Sequence, residues 1–306
     1  METGVFHFWQ PEVPQTVKVG PDERPVPIPD LAVPLLQPAN GRPTDHEIGE
    51  GVYAWLRQSP DHPDAAVWAA FLADAYPHYV ADLAAHAVML NAKNVDAPYL
   101  RRMLNCLKIL ALIEPERADL QAQIGRTLID LAFQFAELPN SRHLLLEALG
   151  RLNRARSLGD ETAATCDALA RVNFFLGDYP LARQHWQSAC DHLGDPEREE
   201  ALKRQLERID AWDVPPYPLL DDLETLGQAI TCWGERDYEG ALDRLAMIER
   251  RGELLSNMNM PVFYHLRGLC LLERGDRTGA ADCFRLALAV DESFAPAIEQ
   301  LEKLDN

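Results

Sequence analysis

The chain has 306 residues, 47% of them hydrophobic, which suits one elongated repeat array or two ordinary domains and is too apolar for disorder throughout. Its formal charge is −19, and every third of it holds more carboxylates than Lys plus Arg, which argues against a nucleic-acid surface. The acidic balance fits either solubility or the steering of a basic partner.

Residues 1–45 stand apart, holding nine of the 22 prolines, and proline both fixes φ and removes an amide donor. TVKV at 16–19 alternates, GPDE at 20–23 reads as a turn, and VPIP follows, so a Pro-rich extended arm or a short hairpin is expected. Phe6, Phe8 and Trp9 argue that this arm docks onto something. From residue 46 the apolar spacing becomes helical, over 46–58, 64–76, 77–91, 96–113, 116–136 and 141–158. Thr44 and Glu47 have the spacing of a capping box ahead of the first run. Proline or Gly-Asp punctuates most joints, and helices joined by such short links pack antiparallel.

Three later windows superpose without gaps: 168–189, 227–248 and 267–288. Each has a small residue in its first helix (Ala170, Ala229, Gly268) and an Asp in the turn (Asp178, Asp237, Asp276). A small residue follows in the second helix (Ala182, Ala241, Ala280), with a bulky one four further on (Trp186, Leu245, Phe284). Small residues on facing helices allow close approach, and the bulky side chain fills the space beyond. An extra helix at about 196–211 interrupts the spacing. The stretch 210–224, with three prolines, is a hinge or a rigid connecting loop, and a last helix at about 292–304 caps the array.

The six cysteines are scattered singly without C-x-x-C spacing, which fits free thiols in a reducing compartment. The amino terminus lacks the pattern of a secretory signal, and no stretch is apolar enough to span a membrane, so a cytoplasmic protein is expected. No catalytic or cofactor signature stands out, and neither a cofactor nor a metal is expected. His78, His86, Asp74 and Asp82 share one helical stripe, either a metal or proton site or a solvated face. Arg142, Arg151, Arg154 and Arg156 form a local basic cluster, either for an anionic group or salt-bridged to acids such as Glu147.

The repeated window, most fully Tyr264, Gly268, Leu271, Gly275, Ala280, Phe284 and Ala287, resembles the tetratricopeptide repeat over residues 163–291. The resemblance implies an all-α, right-handed solenoid of antiparallel helix pairs. Its divisions are an arm at 1–45, degenerate pairs at 46–160, one repeat plus an extra helix at 161–212, and two repeats with a cap at 213–306. It also implies that the first helices line a partner groove carrying Asp167, Arg171, Phe174, Leu226, Ile230, Trp233, His265, Leu269 and Leu272. For Phe174 and Trp233 an ordinary core role is the other reading. Asp167 and Leu226 stand where a carboxylate clamp would want basic or amide groups. The expected function is a non-catalytic scaffold or adaptor for a protein or peptide segment. Other readings are an accessory subunit presenting a substrate to a separately encoded enzyme, a peptide-sensing regulator, or an enzyme with a site in 46–160. No nucleic-acid or membrane partner is expected, and the oligomeric state is left open.

Overall fold

The structure is a computed structural model that describes residues 5–39, 41–91 and 97–305. The first residues of the arm and the expected helix start at 96 lie outside them. The fold is all-α apart from the arm, and the chain clusters into two compact units. One comprises residues 1–127 and 154–160, the other 128–153 and 161–306. Among the described residues no helix is long and apolar enough to cross a membrane.

In the first unit, β1 (His7–Trp9) pairs antiparallel with β4 (Val33–Leu35), and β2 (Thr16–Val19) forms a hairpin with β3 (Arg24–Pro27). Arg24 reaches Asp74 at 2.7 Å, taking one member of the expected His/Asp stripe into an ion pair. No cluster of three possible metal ligands occurs among the described residues. Phe8 is 58% exposed, so one of the aromatics expected to dock the arm instead faces solvent. Four helices follow: α1 (Asp45–Gln58), α2 (Ala65–Ala75), α3 (Pro77–Asn91) and α4 (Ala97–Ile113). Thr44 and Glu47 make both bonds of the capping box at the start of α1. The buried strand β4 lies against α1 at Gly51, where a Cβ would come within 2.2 Å of the Pro34 carbonyl oxygen. Only a glycine admits the strand that closely.

Helix α5 (Ala118–Ala132) ends four residues before the sequence periodicity does. Residues 133–134 leave the helical path, a 3-10 turn covers Phe135–Asn140, and α6 (Ser141–Ser157) follows. Pro139 lies within that turn and, lacking an amide hydrogen, cannot extend an α-helical ladder. The rings of Phe133 and Phe135 pack on Phe175, Trp233 and His265 of the same unit.

The second unit stacks helix pairs. They are α7 (Ala163–Phe175) with α8 (Tyr179–Asp191), α10 (Leu219–Gly234) with α11 (Tyr238–Arg251), and α13 (Pro261–Glu273) with α14 (Arg277–Val290). Helix α9 (Pro196–Asp210) packs on α8, the short α12 (Glu253–Asn257) on α10 and α11, and α15 (Ala295–Asp305) on α14. These pairs are tetratricopeptide-like in their packing. A Cβ at Gly268 would come within 2.5 Å of the Phe284 ring, while Ala280, Phe284 and Ala287 are fully buried. Each pair turns in the same way. The last residue before the Asp adopts left-handed φ (Gly177 78°, Arg236 65°, Gly275 86°), and the Asp amide bonds back to the carbonyl five residues earlier. The Asp carboxylate then caps the next helix through the amide three residues on: Leu181, Gly240 and Gly279. Arg236 meets this left-handed requirement without being a glycine, and so does Trp212 (57°) after α9.

Candidate functional site: a covered helix face and an open cleft

The expected groove runs along α7, α10 and α13, and the structure divides its nine residues sharply. Phe174 is 7% exposed and packs on Tyr179 and Trp186, at centroid distances of 5.3 and 5.6 Å. It is a core residue of the α7–α8 pair and cannot meet a partner. Asp167 accepts a hydrogen bond from the Trp186 indole N–H at 2.8 Å, which ties α8 to α7. Arg171 is exposed. Leu269 and Leu272 are half-buried against the cluster of Ala280, Phe284, Ala287 and Ala297. Leu226 is fully buried and Ile230 is 9% exposed, so neither lines an open groove.

The α10 face is closed because a segment of the same chain lies along it. Phe135 meets Trp233 edge-on at 6.1 Å. Further along, the Leu138 carbonyl and Pro139 rest on Gly227, where a Cβ would come within 2.6 and 2.8 Å of them. Beyond the 3-10 turn, Arg142 donates to Glu224 at 2.7 Å and to Asp221 at 3.3 Å. Contacts at 135, 138–139 and 142 thus meet α10 at 233, 227 and 224–221, so the segment runs antiparallel to the helix. Leu138 is fully buried, and Phe133 packs on Phe175 at 5.2 Å. The pairing with Glu224 holds the Arg142 guanidinium above, and the Glu224 carboxyl below, their ordinary pKa ranges. The basic cluster is to this extent a salt-bridged exterior, with Arg151 also 3.5 Å from Glu147.

Beside this seat the face remains open. A cleft of about 430 Å³ is walled by residues 133–135 on one side, by 258–262 and His265 on another, and by Asp291, Phe294 and Pro296 on the third. Its position follows from local chemistry: Pro261 opens α13 at a position where its missing amide costs nothing, and α14 ends at Val290, with Asp291 as its extended C-cap. His265 is 8% exposed and sits among Phe135 (6.2 Å), Phe284 (5.6 Å) and Phe294 (5.6 Å). Its Nδ1 is buried without a hydrogen-bond partner. Burial lowers its pKa to about 4, against the opposing pull of the Glu299 charge, so the ring is neutral at neutral pH. At the rim, Asp291 Oδ1 accepts from the Ser293 amide (2.9 Å) and hydroxyl (2.7 Å). Of the residues expected on the groove, His265 lines this cleft and Trp233 only meets its wall residue Phe135, while Phe133, Phe135, Met260, Val262 and Phe294 were not anticipated. The F-x-F pair just ahead of Pro139 was the available signal.

A second, polar hollow of about 350 Å³ lies beside Tyr217, Asp221, Glu224 and Arg251. Its charges are already paired. The fully buried Asp222 beneath it accepts from Arg251 Nη1 and from the Tyr217 hydroxyl, both at 2.9 Å. Burial pushes Cys270 up to about 12 and raises the Cys106, Cys190 and Cys283 thiols. None of these four is a ready nucleophile, since the thiolate is the reactive form.

No protein-family model matches the chain, and no curated protein matches it. Among solved structures it is similar to the MamA protein, with 15% identity, a TM-score of 0.30, and coverage of 71% of this chain and 93% of that one. A tetratricopeptide repeat protein from Parabacteroides merdae is 14% identical with a TM-score of 0.30, covering 85% and 92%. Likeness of this degree adds nothing to what the helix pairs themselves show.

Proposed function

We propose that this chain is a non-catalytic scaffold or adaptor whose second unit binds a segment of another protein. The observation that supports this reading is the face of α10, which already holds an aromatic segment outside the α-helices, Phe133–Asn140, with Arg142 of α6 just beyond it, as a helix-pair array would hold a peptide. Ring contacts, a glycine that admits the segment's backbone and an Arg–carboxylate clip supply the grip. Backbone approach and side-chain pockets of this kind are the usual means of peptide recognition. An accessory subunit for a separately encoded enzyme is the special case in which the captured partner is that enzyme.

Site-specific photocross-linking tests the proposal. A photoreactive residue at Val262 should cross-link a defined partner polypeptide in the native extract, and one at Arg198 on the exposed side of α9 should not. Equal labelling from both positions, or no cross-linked polypeptide from Val262, overturns it.

A further inference from the structure

Resting on that reading, we propose that the cleft between residues 133–135, 258–262 and 291–296 seats one bulky apolar side chain of a partner segment, next to a lysine or arginine of that segment. Its volume of about 430 Å³ falls at the lower end of the range for ligand sites. Its lining is mostly apolar, with Phe135, Met260, Val262 and Phe294 among the side chains that form it.

The cleft continues a seat that is already built. Phe135, held edge-on by His265 and Trp233, forms one of its walls, and Phe294 meets the same imidazole edge-on at 75°. An incoming ring would extend this cluster with the same edge-to-face contacts, and a branched aliphatic side chain would gain by apolar burial against it. His265 makes the site more than an apolar hollow. It is nine-tenths buried, lines the cleft and has an unpartnered Nδ1, an unusual state for a buried polar group in a finished core.

The rim selects the neighbour. No lysine or arginine lines the cleft, whereas Asp291 does, and its Oδ2 is left over after Ser293 has engaged Oδ1. The whole chain carries a formal charge of −19. A cation flanking the apolar side chain is therefore attracted both at contact range and at a distance, while an anion is repelled by both.

The test selects binders to the full chain from a randomised peptide library displayed on phage, then titrates the enriched peptides in solution. The enriched peptides should share a bulky apolar residue beside Lys or Arg. Val262→Trp, which fills the cleft, should weaken them about tenfold or more. Asp291→Asn, which keeps the acceptor for Ser293, should weaken them about threefold and flatten their salt dependence. Circular dichroism of both variants confirms that the fold is retained. Peptides that lack this pattern, or that bind Val262→Trp as tightly as the parent, overturn the seat. Binding of a small apolar molecule such as indole, with no peptide enriched, overturns it too. Val262 borders the cleft, so the two experiments are read together: a defined cross-linked polypeptide with peptides that lack the pattern removes this seat and leaves the scaffold reading standing, whereas the absence of both removes both.

Discussion

Two straps, one in each unit, are held by the same device. In the first unit the strand β4 lies against α1, and in the second the Phe133–Asn140 segment lies against α10. Each brings a proline-containing backbone onto a helix at a glycine: Pro34 onto Gly51, and Leu138–Pro139 onto Gly227. They differ in what they leave behind. Val33, Pro34 and Leu35 are all buried, and the first strap closes its core. The second buries Leu138 but leaves Phe133 and Phe135 as walls of a cleft whose other side holds a polar, unpartnered His265. A strap that completes a core is structural. One that stops short of closing its core leaves a cleft lined by Phe133, Phe135 and His265.

The largest expected effect breaks both straps. Alanine ordinarily gains about 1 kcal/mol over glycine inside a helix. Gly51→Ala and Gly227→Ala should instead each destabilise by about 3 kcal/mol, because the added Cβ meets backbone at 2.2 and 2.6 Å. Gly150→Ala in α6, with open space around it, is the control and should stabilise by about 1 kcal/mol. Urea denaturation measures all three. If Gly227→Ala behaves like Gly150→Ala, the segment does not rest on α10 as described.

The next effect concerns only the second strap. His265 has its pKa lowered to about 4 in the folded chain, below the ordinary value near 6.5. The unfolded chain therefore binds a proton first as pH falls. The stability contributed by the neutral ring is fully present above about pH 6.5 and is lost progressively as pH falls towards 4. The loss should be of the order of 2 kcal/mol, read as the difference in pH dependence between the parent and His265→Phe. Parallel stability profiles for the two proteins over that range would show that the imidazole is not buried in the neutral form.

A smaller effect sharpens the comparison between helix pairs. Arg236 occupies the left-handed position that glycine fills at 177 and 275, so Arg236→Gly should raise stability by about 1 kcal/mol in thermal unfolding. A loss of stability would mean that the Arg236 side chain contributes more than its backbone conformation costs.

The smallest effect is at the clip. Arg142 is 45% exposed, and its pair with Glu224 should contribute under about 1 kcal/mol and fade in high salt. A double-mutant cycle of Arg142→Ala with Glu224→Ala measures it. A coupling well above that would make the clip, rather than the aromatic contacts, the main hold on the segment.

Much of the fold was legible in the sequence because its determinants are local. The small–bulky spacing of Gly268 and Phe284 acts within one helix pair, and the Asp after each left-handed residue and the Thr44–Glu47 capping box act within one or two turns of chain. The candidate site was legible only in part. Of the residues expected on the groove, His265 lines the cleft and Trp233 meets Phe135, whereas Leu226 lies in the core, as does Phe174, for which a core role was the other reading. Repeat position says which helix a residue occupies, and burial depends on what else reaches that helix.

The sequence by itself determined that the chain forms helix pairs, where they turn and which small residues bring them together, since those preferences are written in spacing, capping and backbone conformation. Only the tertiary structure decided that α5 stops at Ala132 and that the residues after it join the downstream helices. The physical reason is competition. The apolar spacing to residue 136 favours one more helical turn, but Phe133, Phe135 and Leu138 gain more by burial against residues of α7, α10 and α13. Those partners are distant in sequence, and no local pattern records them.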